Sequence, residues 1–356
     1  MLYIESFNNK RESGLTGVMR VKNESKMIKT CIDSCIEALD ELIVVCNDCT
    51  DNTPEILKCK QRQYPNKLKI YEYNHNVLSF NLTEDEFEEA INLPDDSVRL
   101  YANMCNYGLS LAKYKYVTKI DTDQLYFAKE LKKWRDICAN PETIKWKVCM
   151  IWGWLFMMYF SLYRRISVKL AKPCLFMLPD WLVTIFYESY QKYAVWQLAK
   201  GKVAVALSGI NVFKDKEWFV TFDNINGHPP YNGTGDTVIF KLSEKTYFTR
   251  QVSRKYSSVT ECFTQPYKVV FTSPMWFHQH ANRVQCFDKI KKVKDECPEQ
   301  FVPISDFLKM SYKEVHEKLN QQTHTLFQRV LFALIHKCKK QVIEDNLSVL
   351  ENLGVK

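Results

Sequence analysis

The sequence predicts an α/β fold with a mostly parallel central sheet, to which a helical insertion and C-terminal helices are added. Segments with strand patterns and segments with helix patterns alternate from residue 17 to residue 127. The run "LIVVC" at residues 42–46 is continuously apolar, which is typical of a parallel strand covered on both faces. Hydrophobic residues make up 46% of the 356 residues and charged residues 25%, a composition that supports a buried core and disfavours disorder.

The first elements form a strand–helix–strand–helix–strand unit. Apolar residues recur at helical spacing after a polar turn in which Ser25 is placed to cap a helix, and Pro54 stands at the start of the next helix. The predicted strands cover residues 17–21, 42–46 and 67–73, and a helix over about 96–112 leads into a further strand at 116–127. In such a sheet, ligands bind at the edge that the carboxyl ends of the parallel strands form.

Polar residues follow the predicted strands at this edge, at residues 22–24, 47–51 and 121–123. Asp121 and Asp123 lie two residues apart in one predicted strand, so both carboxylates are expected to point to the same side. Two carboxylates this close repel each other unless a cation lies between them. Mg²⁺ or Mn²⁺, which take oxygen ligands, fit such a pair, whereas a solvated strand end with a capping aspartate is the alternative.

The stretches "GVMRVKNES", "ELIVVCNDCTDNTPEIL" and "NYGLSLAKYKYVTKIDTDQLY" together resemble the start of GT-A glycosyltransferases of the family-2-like kind. Their R-V-K-N-E, N-D-C-T-D and K-I-D-x-D-x-x-Y motifs, with a later Gly-Asp, are similar to those of bacterial lipooligosaccharide β-1,4-N-acetylgalactosaminyltransferases. The resemblance covers roughly residues 15–130 and 203–285. It implies a Rossmann-like GT-A fold and a metal-dependent, inverting transfer of N-acetylgalactosamine or galactose from a UDP-sugar to a cell-surface glycan such as lipooligosaccharide.

Position by position, the resemblance implies two sets of donor contacts. Lys119 and Asp121 would lie at the diphosphate, and Asp121 and Asp123 would hold Mn²⁺ or Mg²⁺. One departure from the family pattern is that Cys46 and Asn47 stand where many members have two consecutive aspartates, although the Asn47 amide can still donate to and accept from a uracil edge. The residues implied around the uridine and ribose are Arg20, Asn23, Glu24, Asn47 and Asp51.

The resemblance also implies a catalytic base in the second half of the chain. An inverting enzyme needs a carboxylate that takes the proton of the acceptor hydroxyl, and the Gly-Asp match makes Asp236 the candidate. The alternative role for Asp236 is to cap a turn, and Asp223 is the reserve candidate for the base. Residues 203–220 are expected to form two strands around a Ser-Gly turn, before the strand at whose entry Asp236 stands.

The stretch "SPMWFHQHANR" carries His278 and His280, two residues apart. The resemblance implies that a histidine here completes the metal site, more naturally with Mn²⁺ than with Mg²⁺, and both histidines remain candidates beside a purely structural role. Arg283 is a fixed cation that can assist a phosphate. Trp276 and Phe277 either stack on a sugar or pack in the core.

The sequence divides into four parts. Residues 1–139 are expected to form the nucleotide-sugar-binding half of a GT-A domain and residues 203–285 its acceptor-side half, with C-terminal helices at 286–356. Residues 140–202 have no counterpart in the family pattern and hold two aromatic-rich runs, neither of which reaches the roughly 20 apolar residues of a spanning helix. Flanking basic residues favour peripheral contact with an anionic membrane, and packing as a helical subdomain or in a homo-oligomer is the alternative.

Composition limits the cellular setting and the partners. The 13 cysteines form no even framework and the start of the chain lacks a signal-peptide pattern, so we expect free thiols in a cytoplasmic protein, peripheral on the inner face of the membrane. The net charge of +8 favours an anionic partner, but the basic residues are dispersed and no nucleic-acid motif occurs, so nucleic acid is not expected. The alternative functions are a nucleotidyltransferase and a non-catalytic module that binds an anionic ligand.

Overall fold

The computed structural model describes residues 2–170, 180–222, 229–264, 268–320 and 326–351. Within these ranges the strands are β1 (Glu12–Val21), β2 (Glu41–Cys46), β3 (Leu68–Glu72), β4 (Tyr114–Ile120), β5 (Gln124–Tyr126), β6 (Val203–Asp215), β7 (Glu217–Thr221), β8 (Tyr231–Lys241), β9 (Tyr247–Ser253), β10 (Ser258–Thr264), β11 (Lys268–His278) and β12 (Phe301–Pro303).

The α-helices in the same ranges are α1 (Ile28–Cys35), α2 (Thr53–Gln63), α3 (Glu84–Asn92), α4 (Tyr101–Ser110), α5 (Ala128–Ala139), α6 (Met150–Leu170), α7 (Asp180–Ala199), α8 (Val284–Glu296), α9 (Ile304–Lys309), α10 (Tyr312–Asn320), α11 (Leu326–Glu344) and α12 (Ser348–Glu351). Short 3-10 helices lie at Ile4–Asn8, Ile36–Ala38, Pro141–Thr143, Arg254–Tyr256, His280–Asn282 and Pro298–Gln300.

One large sheet organises the molecule, with the strand order β12-β7-β6-β8-β4-β1-β2-β3, and β11 pairs with both β6 and β5. The run β4-β1-β2-β3 is parallel, and so is the pair of β6 and β11. The remaining pairs in this sheet are antiparallel. The predicted α/β class is confirmed, and the parallel run is the strand–helix–strand unit that the sequence indicated.

The register of the parallel run brings three strand ends to one edge of the sheet. Val21, the last residue of β1, lies opposite Cys46, the last residue of β2, and Met19 lies opposite Ile120, where β4 ends. The polar segments that follow these strands therefore start side by side, as expected for the carboxyl edge of a parallel sheet.

β2 is buried along its whole length, because helices cover both faces of this half of the sheet. Leu42 and Val44 share a hydrophobic cluster with Ile32 of α1. Ile43 and Val45 point the other way, into the cluster that contains Leu109 of α4. The continuous apolar pattern of residues 42–46 has its physical cause in these two layers.

The structure corrects the prediction of a Ser-Gly turn within residues 203–220. β6 passes through Ser208 and Gly209 without turning, and the chain reverses at Lys216, whose φ is 56°. Gly209 is required for a different reason, since a Cβ at this position would lie 2.0 Å from Nε1 of Trp276. The glycine thus admits a buried indole against the strand.

The helical insertion contains α6 and α7, which pack against each other, and residues 171–179 between them lie outside the described part of the chain. The two helices approach closely at Gly153, where a Cβ would lie 2.2 Å from the carbonyl oxygen of Ser189. Tyr187 of α7 donates a hydrogen bond of 3.1 Å to the Thr272 carbonyl and so fixes the insertion on β11. No helix among the described residues is both long and apolar enough to cross a membrane.

Candidate functional site

The expected D-x-D strand end is replaced by a turn. β4 ends at Ile120 and β5 begins at Gln124, so Asp121 and Asp123 lie between two strands instead of within one. The alternation of side chains along a strand does not apply to a turn. The strand-based reason for expecting both carboxylates to point to one spot therefore does not apply, and each carboxylate contacts its own set of partners.

Asp121 belongs to a group of four charged side chains, which we term the Asp121 cluster: Arg20, Lys119, Asp121 and Glu261. Its carboxylate lies 2.8 Å from Arg20 Nη2 and 3.2 Å from Lys119 Nζ. Glu261 of β10 lies 3.8 Å from Arg20 Nη2 and 3.4 Å from Lys119 Nζ. Two cations thus face two carboxylates, and the cluster balances its own charge.

Arg20 is the most enclosed member of this cluster, with 4% of its side chain exposed. Burial opposes its positive charge, but the surrounding negative groups, including Asp121 and Glu261, outweigh burial and raise the pKa of Arg20 well above its usual value. The guanidinium also lies 5.8 Å from the centre of the Tyr101 ring. Its buried Nε makes no hydrogen bond to any described residue.

Asp123 forms a different group, the Asp123 cluster: Asp123, His278, His280 and Arg283. Its Oδ2 lies 3.5 Å from His278 Nε2, 3.3 Å from His280 Nδ1 and 3.0 Å from Arg283 Nε. Burial by itself would raise the pKa of this carboxyl, yet the two histidines and Arg283 outweigh burial and lower it well below its usual value.

The orientation of His278 is set from behind by Asn211. Asn211 Nδ2 donates a hydrogen bond of 2.5 Å to the Pro229 carbonyl. The other atom of the same amide, Oδ1, therefore faces His278 and accepts a hydrogen bond of 2.6 Å from its Nδ1. In the neutral ring this leaves the lone pair of Nε2 directed at the Asp123 carboxylate, a repulsive contact unless a proton or a metal cation lies between them. Asn211 is the kind of outer partner that orients a metal-ligating histidine.

Asp123, His278 and His280 can each offer one ligand atom, and these atoms lie within 4.8 Å of one another. One carboxylate and two imidazoles can hold a divalent transition metal, a set that admits the predicted Mn²⁺ and suits Mg²⁺ less, with both histidines in place. Asp121 is not part of this group. Its carboxylate is engaged by Arg20 and Lys119 instead.

Arg283 joins the Asp123 cluster to the segment after β1. Its Nη1 lies 2.8 Å from Glu24 Oε1, and its Nη2 lies 3.4 Å from Thr122 Oγ1. The Glu24 carboxylate is thus held by Arg283, and the Glu24 backbone N–H donates to Thr53 Oγ1 at 2.9 Å. Glu24, predicted at the ribose, lies beside the predicted metal ligands.

Asn23, Asn47 and Asp51 shape the two loops that follow β1 and β2. Asn23 Oδ1 accepts from the Thr50 backbone N–H at 2.7 Å. Asp51 accepts from the backbone N–H groups of Ser25 and Thr53 at 3.1 and 3.0 Å. Slight burial raises the pKa of the Asp51 carboxyl, but these bonds outweigh it and lower that pKa to about 2. Ser25 therefore contacts Asp51, and Met27 precedes α1 in the place predicted for Ser25 as the cap.

The Asn47 amide is committed to the protein itself. Its Nδ2 donates to the carbonyls of Tyr73 and His75 at 2.7 and 2.8 Å, which ties the loop after β2 to the loop after β3. In this arrangement the amide has no free N–H for the predicted donation to a uracil edge. Of the two predicted contacts with uracil, acceptance by Oδ1 is the one that remains open to Asn47.

Asp236 lies within β8 and not at its entry, because β8 already begins at Tyr231. Residues 233–236 lie in an irregular stretch of the β6–β8 ladder, between the pairs Leu207–Thr237 and Gly209–Asn232. The alternative role as a turn cap is therefore excluded for its backbone position. Asp223, the reserve candidate, lies outside the described residues. Trp276 and Phe277 are fully buried, so of their two expected roles they take core packing.

Glu261, Asn211 and Tyr101 are site residues that the sequence did not single out. Glu261 comes from the separate β9–β10 hairpin, which packs against α4, and Asn211 lies in the middle of β6. No local motif marks them, because each meets the site only through tertiary packing. A glutamate in an otherwise apolar and Thr-rich strand, "SVTECFT", was the one available signal.

Residues 6–152 match the family model described as beta-1,4-N-acetylgalactosaminyltransferase (CgtA). The predicted resemblance is confirmed. Over the matched residues the model is that of a glycosyltransferase family, the enzyme class that the sequence predicts. The match contains β1 to β5, and thus Asp121, Asp123 and the loops after β1 and β2. No curated protein matches the chain.

Solved structures that match part of this chain include S. aureus TarS (residues 1–349), at 20% identity and a TM-score of 0.25 over 35% of this chain and 32% of that chain. Another is glucosyl-3-phosphoglycerate synthase from Mycobacterium tuberculosis in complex with Mn²⁺, UDP and phosphoglyceric acid, at 19% identity and a TM-score of 0.21 over 34% of this chain and 36% of that chain. The chain thus spans about a third of the length of each of these structures.

Proposed function

We propose that this protein is a metal-dependent glycosyltransferase that moves a sugar from a UDP-sugar to a cell-surface glycan. The observation that carries the proposal is the placement of a balanced ionic cluster and a carboxylate–histidine cluster at the carboxyl edge of the parallel sheet, within and beside the segment that matches the family. Mn²⁺ and UDP are also the metal and the nucleotide bound in the Mycobacterium tuberculosis synthase.

Asp123, His278 and His280 are the residues that would hold the metal. A divalent cation there supplies charge neutralisation for the diphosphate that leaves with the nucleoside. Arg283 binds Asp123 and Glu24 in the structure described here, and its guanidinium can turn to a phosphate oxygen when the carboxylate takes a metal instead. Arg20 and Lys119 keep their predicted place at the donor, and their ion pairs with Asp121 and Glu261 would hold them in position.

The proposed donor contacts keep the residues predicted from the sequence, with Asn47 acting through its Oδ1. Asn23 and Asp51 fix the loops around the nucleoside, and N-acetylgalactosamine is the sugar that the family description favours. Asp236 is the proposed base for an inverting displacement. The pairing of Thr118 with Ile239 supports this assignment, because it places the end of β8 that carries Asp236 beside the carboxyl end of β4.

Calorimetric titration of UDP tests the proposal, with Mn²⁺ present and with a chelator in its place. We expect UDP binding to depend on Mn²⁺ in the wild type and to be lost in Asp123→Ala. Asp288→Asn, which changes an exposed carboxylate on α8, is the matched control and should bind as the wild type does. If the wild type binds no UDP under either condition, the glycosyltransferase mechanism is overturned and an anionic-ligand binding module becomes the better explanation.

The proposal also includes a lipid-linked acceptor, as in lipooligosaccharide. By docking on the membrane, α6 would bring the site within reach of this acceptor. One face of the segment from Val148 to Leu162 is apolar and exposed, with Val148 77% and Leu162 57% exposed. The opposite face packs on α7 through Gly153 and Phe156. The outward residues of this apolar face are Val148, Ile151, Trp152, Leu155, Met158, Tyr159 and Leu162.

An anionic bilayer is the occupant that this face fits best. Its tryptophan and tyrosine side chains suit the boundary between headgroups and acyl chains, and the exposed Lys145 and Lys147 lie directly before it. Vesicles of phosphatidylcholine with phosphatidylglycerol should therefore bind the protein more than vesicles of phosphatidylcholine alone, and salt should weaken the difference.

The double variant Trp152→Glu with Leu155→Glu should abolish vesicle binding, whereas Val252→Glu, on the exposed side of β9, should leave it intact. A protein that forms a dimer through α6 without lipid, and ignores vesicles of both compositions, would contradict the membrane contact. Light scattering of the same variants separates these two outcomes.

A further inference from the structure

The loop after β2 carries two cysteines whose sulfurs are in contact. Cys46 ends β2, and Asp48 adopts a left-handed backbone with a φ of 42°, which turns the chain back on itself. Cys49 is thereby brought over Cys46, and the two Sγ atoms lie 3.2 Å apart as free thiols. Asp is one of the residues that adopt this conformation most readily, so the turn is stable in the reduced chain.

The two thiols differ in exposure and in hydrogen bonding. Cys46 is 8% exposed and donates its S–H to Cys49 Sγ. Cys49 is partly exposed and also accepts the backbone N–H of Asn23 at 3.4 Å. An incoming reagent therefore meets Cys49 first, and Cys46 stands behind it as the second thiol.

We propose that Cys46 and Cys49 form a reversible disulfide, made by exchange with a low-molecular-weight disulfide. This bond controls the conformation of the loop after β2, residues 47–52, which we term the donor loop. In the first step the Cys49 thiolate attacks one sulfur of the small disulfide and releases one thiolate. In the second step Cys46 loses its proton, attacks the Cys49 sulfur and releases the second thiolate. Two protein thiols are oxidised by two electrons, and one small disulfide is reduced to two thiols.

The surroundings of Cys49 favour the thiolate. The hydrogen bond from Cys46 lowers the pKa of Cys49 most, burial raises it, the Asn23 N–H lowers it further, and the value falls to about 7. Asp51 raises this pKa slightly and Lys22 lowers it slightly. The attacking sulfur therefore loses its proton more readily than an ordinary thiol, while the hydrogen bond to Cys49 and burial raise the pKa of Cys46 above its usual value.

The consequence for the donor rests on the proposed function. Asn47 lies between the two cysteines, and its amide ties the loop to the carbonyls of Tyr73 and His75. A covalent bond between the sulfurs pulls them from 3.2 Å to about 2.05 Å, which displaces Asn47 and the Asn23 N–H that Cys49 accepts. We expect UDP affinity to fall about 10-fold, the loss that corresponds to roughly one hydrogen bond no longer made.

Peptide mapping tests the bond independently of any activity. The full-length protein, with the exposed thiols removed by Cys59→Ser and Cys262→Ser, is equilibrated with oxidised glutathione, acid-quenched and alkylated. Cleavage after glutamate releases residues 42–55, whose two cysteines are Cys46 and Cys49. The fully buried Cys31 and Cys35 lie on a separate peptide. We expect this peptide to lose two hydrogen masses, and Cys31 and Cys35 to stay reduced as the internal control.

Single variants show whether the two cysteines act in the proposed order. Cys46→Ser should accumulate a glutathione adduct on Cys49, because the second thiol is missing, and Cys49→Ser should form neither adduct nor bridge. The mass of the parent protein, which carries Cys59→Ser and Cys262→Ser, is read without any substitution in the loop, so a loop variant that fails to fold does not hide the result. A stable glutathione adduct in this parent protein, or no change at all, would overturn the proposed bond.

UDP titration of the oxidised protein, before and after dithiothreitol, tests the control of the loop. Affinity that falls about 10-fold on oxidation and returns on reduction supports it, and Cys49→Ser should show no such change. A bridge that forms without changing UDP affinity would overturn the control of the donor loop. If the reduced protein binds no UDP, the proposed function has failed, and the peptide masses still decide whether the bond forms.

Discussion

Asp121 and Asp123 are separated by one residue, yet their surroundings differ in kind. The Asp121 cluster pairs two carboxylates with two fixed cations, so its charges are already compensated. The Asp123 cluster joins one buried carboxylate to two histidines and one arginine, partners that can be exchanged for a metal. Two aspartates at one sheet edge thus have different surroundings, because Asp121 is paired with fixed cations whereas Asp123 lies among side chains that could hold a metal.

The largest expected difference between the clusters is in metal affinity. Asp123→Asn should lower Mn²⁺ affinity more than 100-fold, because losing a ligand costs more than the 10- to 100-fold typical of an outer partner. Asp121→Asn should change it less than 10-fold, since Asp121 is engaged by Arg20 and Lys119. Calorimetric Mn²⁺ titration of the two variants measures both values. Equal losses in the two variants would show that the aspartates act as one metal pair.

Glu261→Gln tests the structural role of the Asp121 cluster. The variant leaves Arg20 and Lys119 with one carboxylate between them, and we expect it to lower the free energy of unfolding by about 2 kcal/mol, below the full cost of breaking a buried pair. Urea denaturation gives this value. Asp95→Asn, which breaks the exposed pair with Arg250, is the control and should cost less than about 1 kcal/mol. If both variants cost the same, the cluster is not a frame.

Asn211→Ala tests whether the Asp123 cluster depends on the orientation of His278. Without Asn211 the ring loses the acceptor that fixes its Nδ1–H, and Mn²⁺ affinity should fall about 10-fold. Calorimetry measures the change, and Asn211→Asp, which keeps an acceptor oxygen, should restore much of it. An alanine variant with unchanged affinity would show that His278 is held by packing alone.

The smallest expected effect comes from Asp51, in the loop after β2. Its folded pKa of about 2 lies below the ordinary 3.8, so its contribution to stability is complete above pH 3.8 and is lost as the pH falls through about 2. Asp51→Asn should remove this part of the acid dependence and cost about 1 kcal/mol at neutral pH, as for the loss of a loop cap. Unfolding curves between pH 2 and pH 5 check it. An unchanged acid slope would count against the role of Asp51.

The parallel half of the fold was predictable because its signals are local. A strand buried on both faces must be apolar at every position, as residues 42–46 are, and polar loops must follow the ends of such strands. Asp121 and Asp123 were identified from the same local pattern, whereas Arg20 and Lys119 were identified through the resemblance to the family. The second half was less predictable. Ser208 and Gly209 were predicted to form a turn, whereas Gly209 lies within a strand and is needed there because a Cβ would collide with the Trp276 indole.

The sequence by itself determined the α/β class, the edge at which the site lies, and the residue types available there. Only the tertiary structure decided which carboxylate meets which cation, because the turn between Ile120 and Gln124 separates the two aspartates. It also brought Glu261 and Asn211 to the site from distant strands, and the two sulfurs of the loop after β2 into contact. The physical reason is that periodicity reports local burial, whereas a site depends on distances between segments far apart in the chain.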